Sequence, residues 1–160
     1  MPSMTENELE PILTHFDRVC AIQLKLCKEL ENIADGLGAQ VDRHQCSLMA
    51  SELERVMNDA HNFEKVTLFP AIKHAMGVNN AQQSQRAEKF GFLTQLENTH
   101  EDDVCLAGEV VEALNQLAED PAKISPDAMG YLLRGFFVGL RRHLALEEQV
   151  LLSVNANNHT

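Results

Sequence analysis

Seven histidines are spread along the 160 residues, at positions 15, 44, 61, 74, 100, 143 and 159. Four of them fall on apolar stripes of three-to-four-residue period, and so share a helix face with core-forming neighbours. His15 is in register with Val19, Ile22 and Leu26, and His61 with Leu53, Met57 and Leu68. His100 lies in register with Leu93, Leu96, Val104 and Val111, and His143 with Phe136, Leu140 and Val150. Carboxylates accompany them. Glu147 follows His143 by four residues, and Glu64 follows His61 by three, so each pair shares one side of its helix. An apolar interior holds unpaired imidazoles only at a large desolvation cost, so the set calls for a partner. Nitrogen and carboxylate donors on facing helices are how bundles build dinuclear iron or manganese sites. Two ions use about this many donors, where a single zinc uses four.

The elements that must position these residues are helices. Only 5% of the residues are aromatic, and few stretches alternate apolar with polar. A first helix is predicted over Leu9–Ala34, with Pro11 in its first turn and a stop at Gly36-Leu-Gly38. A second runs from about Asp42 to Met76, kinked or locally ended at Pro70, with Gly77–Asn80 as the break after it. A third covers Gln83–Ala118. Ser125 as N-cap and Pro126 at the first helical position open a fourth, ending near Val154. The expected fold is therefore all-α, an antiparallel up-down four-helix bundle over 9–154, with frayed termini at 1–8 and 155–160.

Antiparallel neighbours rise equally per residue, so two positions lie level when the loop falls midway between them. The midpoint of His15 and His61 is Gly38, that of His61 and His100 lies between Asn80 and Ala81, and that of His100 and His143 lies between Pro121 and Ala122. All three are turn segments, which predicts that four imidazoles meet in one layer. His44, His74 and His159 fail this test. Glu97, three residues before His100, is a spare donor. Glu148, Glu101, Asp102 and Asp103 are expected on the solvated surface.

Composition excludes several classes of function. With 13 basic and 24 acidic residues the formal charge is −11, which disfavours nucleic acid and anionic membrane as partners. The longest apolar run, Tyr131–Leu146, is broken by Arg134, Arg141, Arg142 and His143. Cys20, Cys27, Cys46 and Cys105 form no C-x-x-C pair and read as thiols in a reducing compartment, and a cytoplasmic location is expected. No nucleophile triad or phosphate loop is visible.

The segments His61-Asn-Phe-Glu-Lys-Val-Thr-Leu-Phe-Pro70 and His143-Leu-Ala-Leu-Glu-Glu-Gln-Val-Leu-Leu152 resemble the recurrent signature of the bacterial hemerythrin-like, or HHE cation-binding, domains. The resemblance extends from about residue 9 to 153, with His15 and His100 similar to the family's first- and third-helix histidines. It implies an oxygen- and carboxylate-bridged, non-haem di-iron centre of two iron ions. Carried over residue by residue, the ligands would be His15, His61, Glu64, His100, His143 and Glu147. The fourth-helix motif matches His-x-x-x-Glu, but the second does not. Four on from His61 stands Lys65, and counting back from Leu68 puts Glu64 in the acidic place and Ala60 where histidine is expected. Lys65, facing inward, would lower metal affinity and leave a mononuclear or weakened site.

The resemblance implies binding of a small diatomic, O2 or NO, as carrier, sensor or scavenger. A shell rich in histidine with two carboxylates favours the ferrous state and reversible binding. The alternatives are a di-iron oxidoreductase or an iron-centre repair enzyme on the same scaffold, and a metal-poor regulatory or interaction module. A binding protein rather than a catalyst is the expectation. Haem between two histidines is a remoter option, which would leave Glu64, Glu147 and two further histidines unexplained.

Overall fold

The computed structural model describes residues 6–39, 41–78 and 83–158. All regular structure among them is helical. Helix α1 (Glu6–Gly36) buries Leu9, Phe16, Leu26, Cys27, Leu30 and Ala34 along one side. It begins a turn earlier than predicted, so Pro11 lies inside it rather than in its first turn. Pro11 is exposed, and the carbonyl that its missing N–H leaves unpaired can turn to water. The chain reverses after α1 through Gly38, whose φ of 90° suits glycine.

Helix α2 (Arg43–Phe63) is capped by Asp42, whose carboxylate accepts from the Gln45 N–H at 3.0 Å. The rod does not end at Pro70. It passes through a π turn at Glu64–Leu68, in which the Phe69 N–H reaches the Glu64 carbonyl, and continues as α3 (Phe69–Val78). The wider turn stands just ahead of the position where a proline ring would meet the preceding turn of a regular helix. Helix α4 (Gln83–Glu119) follows, then a short 3-10 turn at Pro121–Lys123 capped by Asp120. Helix α5 (Pro126–Asn158) starts with the Ser125 hydroxyl accepting from the Ala128 N–H at 3.1 Å, as an N-cap should. Of the ends expected to fray, 1–8 and 155–160, residues 6–8 and 155–158 belong to α1 and α5, while 1–5 and 159–160 lie outside the described residues, as does the loop centre at 79–82.

Contacts set the sense of neighbouring rods. Arg43 donates to the carbonyls of Ala118 and Glu119, while His61 meets His100, so α2 and α4 run in opposite directions. Arg141 pairs with Glu31 at 3.0 Å and Arg134 with Asp35 at 3.2 Å, giving α1 and α5 the same relation. One of these ion pairs is exposed and the other half-buried at the surface, and they contribute little energy; burial carries the fold. The core forms two clusters. One gathers Leu26, Leu30, Leu53, Met57, Leu114, Leu133, Phe136, Leu140 and their neighbours. The other gathers Phe16, Phe63, Leu68, Phe69, Ile72, Leu93, Leu96 and Leu151. No helix of the described residues is long and apolar enough to cross a membrane.

Candidate metal centre

Between the two apolar clusters lies a polar layer. It is built from Glu64 at the head of the π turn, His100 in mid-α4, and His143 and Glu147 one turn apart on α5. All four are buried, at 3% exposure or less. One donor atom from each falls within 4.8 Å of every other, a spacing that a single ion could span. His143 Nε2 lies 2.7 Å from Glu147 Oε1 and 3.7 Å from Glu64 Oε1, and His100 Nδ1 lies 2.5 Å from Glu64 Oε2. Despite these distances, Glu64 Oε2, His100 Nδ1, His143 Nε2 and Glu147 Oε1 make no hydrogen bond of acceptable angle. Buried polar atoms that crowd together without bonding one another are what a cation cradle presents.

Electrostatics fit that reading. Burial works against the charged imidazolium of His143, but the adjoining Glu147 and Glu64 carboxylates outweigh it and push the group up to about 10. Burial raises Glu147, with Glu64 adding to the rise. Burial would also raise Glu64, yet His100 and His143 hold it well below the usual carboxylate range.

Two other histidines of the expected set stand outside this group. His15 is exposed, its ring stacked on Phe63 at 4.4 Å and 15°. The depth expected from the loop midpoints is met, because Phe63 is two residues past His61; the direction is not. The interior line of α1 runs through Phe16, Gln23, Leu26 and Cys27, while Ile22, in register with His15, is 46% exposed. The adjacent residue on a helix lies about 100° around the axis, so a shift of one turns a ring outward. On α2 the buried line likewise runs through Met57, Ala60 and Glu64, which leaves His61 at its edge. His61 Nδ1 sits 2.7 Å from His100 Nε2, with the two rings stacked at 4.8 Å. It therefore backs His100 from the outer side.

Lys65 is exposed rather than turned toward the cluster. Glu97 is drawn away by Lys73, at 2.8 Å. Glu148, Glu101 and Asp102 are exposed, as expected, and so are His44 and His74. Asp103 is not. It is 7% exposed, with Oδ2 lying 3.8 Å from His143 Nδ1, and burial raises its carboxyl. The run Glu-Asp-Asp reads as surface, and only its third member, three residues after His100, shares the inner face; that spacing was the available signal.

A cavity of about 190 Å³ opens beside the centre, lined by His61, Lys65, Phe69, Lys73, Glu97 and His100 among others. It brings solvent to the outer edge of His100 but not to the buried donors. The family model described as Hemerythrin HHE cation binding domain matches residues 21–154, beginning after His15. No curated protein and no solved structure matches the chain.

Proposed function

Because the chain belongs to the hemerythrin HHE cation-binding family, we propose that it is a non-haem iron protein that binds a small diatomic molecule, O2 or NO, as carrier, sensor or scavenger. One observation carries the reading: four buried donors, two imidazoles and two carboxylates, converge within 4.8 Å and leave their facing atoms without hydrogen bonds. Nitrogen and oxygen donors of this kind suit ferrous iron. We read the four rods as an up-down bundle that supplies these donors from three of its helices.

A bound iron ion would supply a redox-active Lewis-acid centre. The chain does the rest. Glu64 and Glu147 balance the charge of a divalent ion in a buried layer, which suits a neutral guest over an anionic one. Phe16, Phe63, Leu68, Phe69 and Leu96 form the apolar floor that keeps bulk water away. His61, 2.7 Å from the outer nitrogen of His100, holds that ring in orientation, and the Asp103 carboxylate lies 3.8 Å from the outer nitrogen of His143. The four free cysteines agree with a reducing, cytoplasmic setting.

The test is anaerobic reconstitution with ferrous iron, followed by metal analysis and absorption spectra before and after O2 or NO. The expected result is bound iron and a spectral change with at least one of the two gases. Iron retention with no response to either would overturn the ligand-binding reading, and His143→Ala should lose most of the iron. Turnover of NO or peroxide above the free-iron background would favour the oxidoreductase alternative.

A further inference from the structure

We infer that the centre is built for a single divalent ion, held by Glu64, His100, His143 and Glu147, and not for the iron pair that the resemblance implies. The inference rests on the iron-binding reading above and fixes its stoichiometry. The four donors already form a complete set for one ion. A second ion would need imidazoles of its own, and neither remaining candidate is offered. His15 is exposed and stacked on Phe63. His61 lies behind His100, at the nitrogen opposite the one that faces Glu64. One turn before Glu64 on the buried face, where a further donor could reach the carboxylates, stands Ala60, with only a methyl group at 1% exposure.

Charge points the same way. Two buried carboxylates neutralise one divalent cation. A second would leave at least one positive charge uncompensated, even with Asp103 counted, in an interior layer flanked by apolar clusters, which is costly without added anions. The arrangement also gives His61 a defined part. With His100 Nδ1 on the ion, its Nε2–H donates to His61 Nδ1, so His61 is a positioning residue that fixes the tautomer and tilt of a ligand.

The experiment counts ions. The full chain is loaded anaerobically with excess ferrous iron, freed of loose metal by gel filtration and analysed for iron per chain. A parallel sample loaded with Mn(II) is examined by EPR. One iron per chain and the hyperfine pattern of an isolated Mn(II) ion are expected. Two irons per chain, or the spectrum of an exchange-coupled manganese pair, would overturn the inference while leaving the iron-binding reading intact. No retained ion of either kind would overturn that reading itself. Two variants separate the roles further. His15→Ala should keep one ion at unchanged affinity, and His61→Ala should keep one ion at an affinity lowered by about tenfold. Loss of the ion from His15→Ala, with helicity intact by circular dichroism, would also overturn the inference.

Discussion

Each imidazole at the centre turns one nitrogen toward the other donors and the opposite nitrogen toward an outer side chain, bonded at His100 and 3.8 Å distant at His143. His100 presents Nδ1 to Glu64 and Nε2 to His61; His143 presents Nε2 to Glu64 and Glu147, and Nδ1 to Asp103. Such outer partners fix ring orientation and raise ligand basicity. Asp103→Asn keeps the side chain's size and removes its charge, so it should weaken metal binding by about ten- to a hundredfold, read by competition with a chelator. Unchanged affinity would make Asp103 merely a buried acid. A pH effect follows from the same residues. His143 and Glu147 both hold their protons more tightly than isolated side chains do, and an ion must displace them. Metal loading should therefore release protons, and apparent affinity should rise as pH increases through neutrality, measurable by calorimetry in two buffers of unlike ionisation heat. At this scale the four residues that the structure brings together, Glu64, His100, His143 and Glu147, are among the six that residue type and spacing single out. It did not disclose which way His15 turns, since Phe16 beside it competes for the interior and wins by hydrophobicity.

The helices themselves were legible nearly to their ends. Asp42 and Ser125 announce two starts through their side-chain oxygens, and Gly38 marks a turn. The π turn was not legible, because it is defined by one extra residue in a backbone ring that no side-chain pattern encodes. It matters to the site: Glu64 heads it, and Leu68 and Phe69, 0% and 5% exposed, follow in the core. Val66, 65% exposed, is the residue whose own packing matters least there. Deleting Val66 should let the rod close into regular α-helix with Phe69 still bonded to the Glu64 carbonyl, so Leu68 and Phe69 keep their faces. Inserting an alanine after Val66 should instead rotate Leu68 and Phe69 about 100° relative to Glu64. The expected loss on insertion is about 3 kcal/mol or more, from two large apolar side chains leaving the interior, and the deletion should cost clearly less. Denaturant unfolding of the two variants checks the comparison, and equal losses would mean that the π turn is not setting the register.

Across the whole molecule, a layer of two carboxylates and two histidines divides an apolar core that would otherwise be continuous. Buried ionisable groups rarely gain enough from one another to offset their desolvation, and here their facing atoms do not even hydrogen-bond. The layer therefore costs stability until an ion arrives. Replacing it entirely, with Glu64→Leu, His100→Leu, His143→Leu and Glu147→Leu together, should yield a chain about 1–4 kcal/mol more stable than the metal-free protein and indifferent to iron. The native chain should instead gain about 3 kcal/mol once free iron exceeds its dissociation constant a hundredfold, and lose that gain to a chelator. Chemical unfolding of both chains, with and without iron, makes the comparison. A metal-free native chain already as stable as the apolar variant would mean that the layer satisfies itself, and would remove the physical argument that it exists to hold a cation.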